Sequence, residues 1–433
     1  MAPGITRAQI FIFFFVICTA SISERFVGLL QPLFLTQQLH IPTAHQGELT
    51  GLLESAKQTA ILLLIGVAGA LADRIGRRTV LMIAVLGFGL CFLVYPFVAA
   101  VWALFIIRFI WGGAFACWTA GAATKMMDYP DNASRGKFIS LMFVVQIGFG
   151  AIFLAFVGSK LLGWFKAWGF DADETVRYGF WSMAAIALSG ALVAYLFLQR
   201  DAVVPEGGRK PGFVAGFKAL FGSIGEVFAH ARTNPRFALT LLIGLVIRTD
   251  TVVIYAFLTL WVVSAARQAG IDAVAATATA GTLLAILSAA QFITPPIFGY
   301  LADRFNRVGL LLFALLLTTI AFLSFGLVHD VFGTMMIVAV VLVGLAEGAQ
   351  IIAAQSLFGQ EAPDHIRGAA TGVFTFLGNI SVLIINVLGG YLFDKVDFRA
   401  PFLMEGVLHL VFFILAVVIA GYQVRQARSP SAA

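Results

Sequence analysis

A charged turn occurs twice in this chain of 433 residues, at 69–78 (GALADRIGRR) and at 299–307 (GYLADRFNR). A second short motif also occurs twice, once after each turn. Its first copy runs from Pro130-Asp131 to Arg135-Gly136, and its second copy runs from Pro363-Asp364 to Arg367-Gly368. Two motifs repeated in one order indicate a duplicated architecture. We therefore predict two related halves, each with one charged turn.

The composition around these turns is that of a membrane protein. Hydrophobic residues make up 60% of the chain and charged residues only 12%, whereas a soluble protein is about a quarter charged. A water-soluble enzyme is thereby excluded. Cys18, Cys91 and Cys117 lie in apolar runs, which excludes a secreted disulfide scaffold. The net charge of +6 comes without a basic run longer than two residues, so it favours a membrane surface over nucleic acid.

Twelve segments are long and apolar enough for transmembrane helices, which need about 20 such residues. Backbone groups in lipid must be satisfied internally, so these segments are helices. The first six are 9–36, 48–71, 79–99, 101–126, 137–163 and 178–198. The second six are 237–264, 274–301, 308–328, 331–357, 368–392 and 400–422. We number them spans one to twelve and predict an all-α membrane protein of two pseudo-symmetric six-helix bundles.

Lys and Arg concentrate in alternate connections between the spans, starting with Arg7, Arg74 and Arg77. The positive-inside rule then predicts that both termini are cytoplasmic. We divide the chain into an N-terminal bundle (1–198), a cytoplasmic linker (199–236) and a C-terminal bundle (237–433). Apolar residues at helical spacing from Phe213 to Phe228 predict an amphipathic linker helix on the membrane face. A partly ordered linker is the alternative.

The turn at 69–78 is similar, position by position, to the G-x-L-a-D-R-x-G-R-K/R loop of the major facilitator superfamily. The second copy has Asn306 where the loop has glycine. The resemblance implies transport by alternating access and a cytoplasmic gate at the turns. From the residues, glycine permits close helix approach or a tight turn, and the charge pairs can form in one state and break in another. Topology alone would explain the arginines, but neither the glycines nor the first aspartate. The gating candidates are Gly69, Asp73, Arg74, Gly76, Arg77, Asp303, Arg304 and Arg307.

Ionisable residues also fall inside the spans, where a charge costs at least ~2.5–3.5 kcal/mol. The carboxylates proposed to couple protons are Glu24, Glu54, Asp250 and Glu347. Lys57, Glu405 and His409 are further charged candidates, and the last two lie four residues apart on one helix face. The alternative is that these charges only pair to hold helices together.

The candidate solute-binding residues are arginines, with polar and aromatic residues of the same spans. Arginine holds a carboxylate or phosphate by two parallel hydrogen bonds. The set comprises Arg25, Arg108, Arg248, Gln31, Trp111, Tyr255 and Asn379. The polar members can also bridge helices in lipid.

Two smaller likenesses concern span one. Glu24-Arg25-Phe26 resembles the end of the E-x-x-E-R-F signature of proton-coupled oligopeptide transporters, with Ser21 in place of the first glutamate. The acid–arginine pair is also similar to that of spinster-like lipid transporters.

The sequence thus predicts a secondary active transporter, coupled to protons, for an anionic or amphipathic organic solute. A lipid or drug exporter of the same fold and a non-transporting receptor or scaffold are the alternatives. Without a P-loop, a Cys/His cluster or a nucleophile elbow, we expect no enzyme, cofactor or metal. The expected partners are the solute, protons and membrane lipids, not nucleic acid. The expected setting is a monomer, multi-pass in a bacterial inner membrane.

Overall fold

Long helices form where the apolar segments predict them. The structure, a computed structural model, describes residues 6–130, 138, 141–142, 144–153, 159–199 and 224–428. Within that part of the chain, eleven helices are long and apolar enough to cross a membrane, which confirms the all-α membrane class. Ten spans are single helices: Arg7–Gln37, Gln46–Ile75, Arg77–Val94, Val101–Asp128, Ala172–Phe197, Ala273–Arg304, Arg307–Leu323, Thr334–Glu361, Arg367–Lys395 and Ala400–Arg428 (spans one to four, six and eight to twelve).

Span five, predicted over 137–163, lies partly outside the described residues. The structure gives a π-helical segment at Val144–Phe149, a short helix at Gly150–Phe153 and a helix at Ser159–Ala167. The twelfth membrane span therefore stays a prediction, as does the cytoplasmic location of both termini.

Span seven, predicted as one helix over 237–264, is broken. It consists of Pro235–Ile243, Thr249–Val253 and Thr259–Gln268, with a π-helical segment at Ile254–Leu258. In the break, the amides of residues 244–246 donate to carbonyls three residues earlier, at 2.9–3.1 Å. Arg248 is the last residue of the interruption, and Asp250 lies in the first turn of the helix that follows. The prediction of a continuous helix was wrong because hydropathy does not record backbone hydrogen bonding.

The contacts within the chain divide it into two compact units, and unit one consists of Met1–Val203, Tyr255–Ala289 and Asn386–Phe398. Its core contains stacked aromatic rings, including Tyr95 and Phe180 with centroids 4.5 Å apart. Spans two and four touch through Gly112, where a Cβ atom would lie 2.3 Å from the Lys57 carbonyl oxygen. Glycine is therefore required for this helix contact.

Unit one also brings the start of span two against the end of span eleven. A Cβ atom on Gly51 would lie 2.1 Å from the Asn386 carbonyl oxygen, and one on Gly390 would lie 2.4 Å from the Gly47 carbonyl oxygen. The Asp394 carboxylate accepts hydrogen bonds from the amides of Gly47 (2.9 Å) and Glu48 (2.7 Å). Asp394 thus satisfies two of the free amides that every helix start exposes.

Unit two consists of Val204–Ile254, Ala290–Ile385 and Arg399–Ala433. Its apolar core takes residues from spans seven to ten and twelve, such as Leu239, Leu311 and Ala353, all at most 1% exposed. Residues 224–233 are helical, and Val227 is buried against Phe237. The predicted linker helix from Phe213 falls outside the described residues up to position 223, so only its end is seen.

The two charged turns are built differently. Gly76 links spans two and three with φ of +92°, a left-handed conformation that favours glycine. Asn306 instead has φ of −61° and caps span nine, its side chain accepting from the Val308 amide at 2.8 Å. The amide cap explains why the second copy dispenses with glycine. The close helix approach expected at Gly69 is not found among the described residues, since a Cβ atom there would meet nothing within 4 Å.

The other gating candidates lie at helix ends. Asp73 and Arg74 are in the last turn of span two, Arg77 begins span three, and Asp303 is in the last turn of span eight. The Arg304 guanidinium lies 4.4 Å from the Tyr300 ring centroid, and Arg307 donates to the Ser356 carbonyl at 3.2 Å.

An exposed ion pair in unit one, between Lys166 and Asp272, contributes folding stability that is lost at acid pH. Lys166 Nζ lies 2.6 Å from an Asp272 carboxylate oxygen, and the Ala275 amide donates to that carboxylate at 3.1 Å. Partial burial opposes ionisation, but the hydrogen bonds from Lys166 and Ala275 outweigh it and lower the pKa of Asp272. A lowered pKa gives stability that is present above the unfolded value and is lost as pH falls through the folded value.

We expect Asp272→Asn to abolish this acid-dependent loss while keeping the helix cap, because asparagine also caps. Exposed pairs contribute about 0–1 kcal/mol, so the change at neutral pH is small. Thermal unfolding of both chains in detergent from pH 3 to 7 measures it. Equal pH slopes for the two chains would contradict the assignment.

Candidate functional site

Unit one contains a network of four charged side chains from spans one, two and four. Lys57 Nζ lies 2.9 Å from Glu24 Oε1 and 2.5 Å from Glu54 Oε2. Arg108 Nη1 lies 3.2 Å from Glu54 Oε1. The Trp111 indole N–H donates to Glu24 Oε2 at 2.7 Å. The two cations and two anions balance, as buried charges must when no solvent screens them.

Exposure is graded along this network. The side chain of Arg108 is 1% exposed, Glu54 8%, Lys57 11% and Glu24 26%. Glu24 is therefore the most exposed member of the network, and Arg108 is the buried end.

Arg25, adjacent to Glu24, makes a separate set of contacts in unit one. Its guanidinium donates to the Tyr255 hydroxyl, and that hydroxyl lies 2.9 Å from Ser288 Oγ. The guanidinium carbon lies 5.0 Å from the Tyr255 ring centroid, within cation–π range. Arg25 also passes Gly150, where a Cβ atom would lie 3.1 Å from Arg25 Cδ. Two of the predicted solute-binding residues, Arg25 and Tyr255, are thus in contact.

The remaining candidates from the sequence form hydrogen bonds within their own unit. Gln31 donates to Thr50 Oγ1 at 3.2 Å. In unit two, Arg248 donates to Asn379 Oδ1 at 2.8 Å, and Glu347 accepts from Gln291 at 3.2 Å. Glu347 and Asn379 therefore belong to unit two, whereas Glu24 belongs to unit one.

A second ionisable cluster lies in unit two, where Asp250 of span seven meets Glu405 and His409 of span twelve. His409 Nε2 lies 3.3 Å from Asp250 Oδ1, and all three side chains are at most 2% exposed. Thr249 donates to Glu405 Oε2 at 3.0 Å, and the Gln350 amide nitrogen lies 3.1 Å from His409 Nε2 and 3.3 Å from Asp250 Oδ2.

This unit-two cluster joins residues that the sequence suggested singly. The four-residue spacing of Glu405 and His409 indicated one face of span twelve, and the structure confirms that placement. Their meeting with Asp250 had no sequence signal. Gln350 is one of several polar residues within the spans, and Ser288 gives no sequence signal, because small hydroxyls are common in transmembrane helices.

The apolar spans, the repeated charged turn and the ionisable groups buried within spans define a multi-pass membrane transporter rather than an enzyme. A family model described as Major Facilitator Superfamily matches residues 13–278 and 255–433. The chain belongs to the Major Facilitator Superfamily.

Several known proteins are similar to it. Magnetosome protein MamH of Paramagnetospirillum magneticum is 24% identical over 391 residues, which cover 88% of this chain and 85% of MamH. MamZ of the same organism is 22% identical, with 87% of this chain but only 57% of MamZ covered. Multidrug resistance protein 1 of Bacillus subtilis is 25% identical, with 87% of this chain and 88% of that protein covered.

The fold is also that of a solved structure, the nucleoside transporter NupG. The two chains superpose with a TM-score of 0.73 at 13% identity, covering 96% of this chain and 99% of NupG. At this identity the likeness concerns the fold alone.

Proposed function

We propose that the protein is a proton-coupled secondary transporter that moves an anionic organic solute by alternating access. The observation that carries this proposal is the position of Glu24, a partly exposed carboxylate at the end of a buried network whose charges balance. The groups that act on Glu24 are Lys57 and Trp111 in direct contact, with Glu54 and Arg108 beyond them.

Protonation changes the charge of this network in a defined way. With Glu24 ionised, the two carboxylates balance Lys57 and Arg108. With Glu24 protonated, the network carries one uncompensated positive charge, while Lys57 keeps its contact with Glu54. A buried positive charge needs an anion, so protonation favours binding of a solute with a carboxylate or phosphate. Because linkage is reciprocal, the bound anion in turn favours the proton.

Arg25 is the proposed solute-binding group beside this proton site. Its guanidinium contacts the hydroxyls of Tyr255 and Ser288, and a guanidinium binds a carboxylate through charge-assisted hydrogen bonds, which are stronger than those to hydroxyls. In the proposed setting the chain acts as a monomer in a bacterial inner membrane. Proteins of this superfamily carry small-molecule solutes, and the relatives named above come from bacteria, which supports that setting.

The test is proton movement in sealed liposomes that contain the purified protein and a pH-sensitive dye. Pools of anionic, cationic and lipid-like solutes are added outside in turn. We expect an anionic pool to drive proton entry in the wild-type chain, and Glu24→Gln to reduce proton entry at least about tenfold, the effect of 1.4 kcal/mol in coupling. Glu226→Gln, an exposed carboxylate at the start of unit two, is the matched control and retains the signal.

Solute uptake without any pH change would show that coupling by protons is wrong. If cationic or lipid-like solutes drove the signal instead, the second candidate, a drug or lipid exporter, would replace the anion transporter. The similarity to Multidrug resistance protein 1 is the observation that favours this candidate. Solute binding without uptake of any pool would favour the receptor or scaffold.

A further inference from the structure

We propose that Asp250, Glu405 and His409 form a binding site for a divalent transition-metal ion such as Mn²⁺, Fe²⁺ or Zn²⁺. This site goes beyond the proposed function, which depends on Glu24 and Arg25 of unit one. One donor atom from each of the three residues lies within 4.8 Å of the others. The site combines two carboxylates and one imidazole in the core of unit two.

The hydrogen bonding of His409 leaves its outer nitrogen in the position of a metal ligand. His409 Nδ1 lies 2.8 Å from the backbone carbonyl oxygen of Glu405, which accepts only an N–H. The proton of the neutral imidazole is therefore on Nδ1, which leaves Nε2 as the nitrogen whose lone pair a metal ion would take. A backbone carbonyl that fixes the tautomer in this way is the usual outer partner of a metal-binding histidine.

The lone pair of His409 Nε2 faces a carboxylate oxygen, Asp250 Oδ1, at 3.3 Å. With the neutral imidazole these two atoms are both acceptors, and they repel each other unless a metal ion or a proton lies between them. For bonds of about 2.1 Å to a tetrahedral ion, ligand atoms are roughly 3.4 Å apart. The observed separation of these two atoms matches that spacing.

The charge of the cluster also calls for a cation. Asp250 and Glu405 are both carboxylic acids. They interact with each other, with the His409 imidazole, with the Thr249 hydroxyl and with the Gln350 amide. None of these carries a permanent positive charge. Glu405 Oε1 is fully buried and accepts no hydrogen bond in the described residues. A buried carboxylate oxygen without a donor is costly, and a metal ion would satisfy it.

The donor set decides the class of ion. An imidazole nitrogen suits Zn²⁺, Fe²⁺ and Cu²⁺, whereas the carboxylates extend the range to Mn²⁺. Mg²⁺ and Ca²⁺ prefer oxygen ligands only. Three protein ligands leave at least one coordination position open. Purely structural sites are closed by four protein ligands, whereas sites with an open position can exchange a ligand there. Gln350 touches both Asp250 and His409 and is a positioning residue for the site.

The test uses the full-length chain in detergent, purified without a polyhistidine tag and stripped of metal with a chelator. Mn²⁺ is titrated in, and the free ion is counted by its electron paramagnetic resonance signal. We expect one Mn²⁺ per chain, displaced by one equivalent of Zn²⁺ and not by a large excess of Mg²⁺. The bound Mn²⁺ should show nitrogen hyperfine coupling from one imidazole, a readout that needs no variant.

Variants locate the ion. We expect His409→Gln and Glu405→Gln each to weaken Mn²⁺ binding at least about 100-fold, and Gln350→Leu to weaken it about tenfold, as loss of an outer partner does. Glu347→Gln, a buried carboxylate of the same unit outside the cluster, is the matched control and keeps the wild-type affinity. Thermal unfolding of each metal-free variant verifies that it is folded.

Three results would overturn the proposal. The first is a folded wild-type chain that binds neither Mn²⁺ nor Zn²⁺, which would leave a shared proton as the cation of the cluster. The second is bound Mn²⁺ without nitrogen coupling. The third is equal loss of binding in Glu347→Gln and the cluster variants. None of these results depends on proton movement at Glu24, so failure here is distinguishable from failure of the proposed function.

Discussion

Arg108→Met is expected to destabilise the protein by about 3–5 kcal/mol, because it removes one of the two cations that contact the buried Glu54 carboxylate. Arg108 is completely buried and lies 3.2 Å from Glu54. Without the guanidinium, Glu54 and Glu24 compete for Lys57 alone, and the network keeps one uncompensated negative charge. Thermal and denaturant unfolding in detergent measures the loss.

The double variant Arg108→Met with Glu54→Gln is the decisive comparison. It removes one charge of each sign and leaves the pair of Lys57 and Glu24 intact. Replacing a buried ion pair by neutral groups is often nearly neutral for stability, so we expect the double variant to recover most of the loss. Additive costs in the double-mutant cycle, or a loss under about 1 kcal/mol for Arg108→Met, would contradict a coupled network.

Gly51→Ala is expected to force apart the start of span two and the end of span eleven. The new Cβ atom would lie 2.1 Å from the Asn386 carbonyl oxygen, and a backbone oxygen cannot rotate away. Overpacking of this kind costs about 1–3 kcal/mol. If the contact forms in only one transport state, the population of that state falls by about 5–150-fold.

Spin labels at Ala44→Cys and Val396→Cys, which flank this contact, report the separation of the two helix ends. We expect the label distance to lengthen in Gly51→Ala. Gly66→Ala is the matched control in the same helix, because a Cβ atom there meets nothing within 4 Å. It should leave the distance unchanged and stabilise the helix by up to about 1 kcal/mol. An unchanged distance in Gly51→Ala would disprove the tight contact.

The sequence predicts the helices and the family well, since both depend on local patterns. The charged turn at 69–78 indicates the family, and each apolar segment indicates a transmembrane helix, from a pattern of about 20 residues or fewer. The break in span seven has no such local pattern. It begins at Gly244, which lies in an apolar run. Its backbone packs closely against Gly378 of span eleven, where an added Cβ atom would lie 2.8 Å from the Gly244 carbonyl oxygen.

The candidate sites could be predicted only as far as single residues. A charge such as Glu24 within an apolar span is conspicuous because it is costly there. Its partners Lys57 and Trp111 are 33 and 87 residues away, and no local pattern identifies a pairing at that separation. The same holds for Asp250, whose contact with His409 depends on how spans seven and twelve pack.

The composition of unit one has a consequence for biosynthesis. Its last contributor, residues 386–398, supplies Asp394, which bonds the Gly47 amide across a separation of 347 residues. At a synthesis rate of about 5–20 residues per second, roughly 17–70 s pass between the synthesis of Gly47 and that of Asp394. During this interval the start of span two, with its narrow glycine face, is exposed to lipid, to the insertion machinery or to other nascent chains. Assembly of unit one is therefore completed only after residues 386–398 are made, although most of its helices are made first.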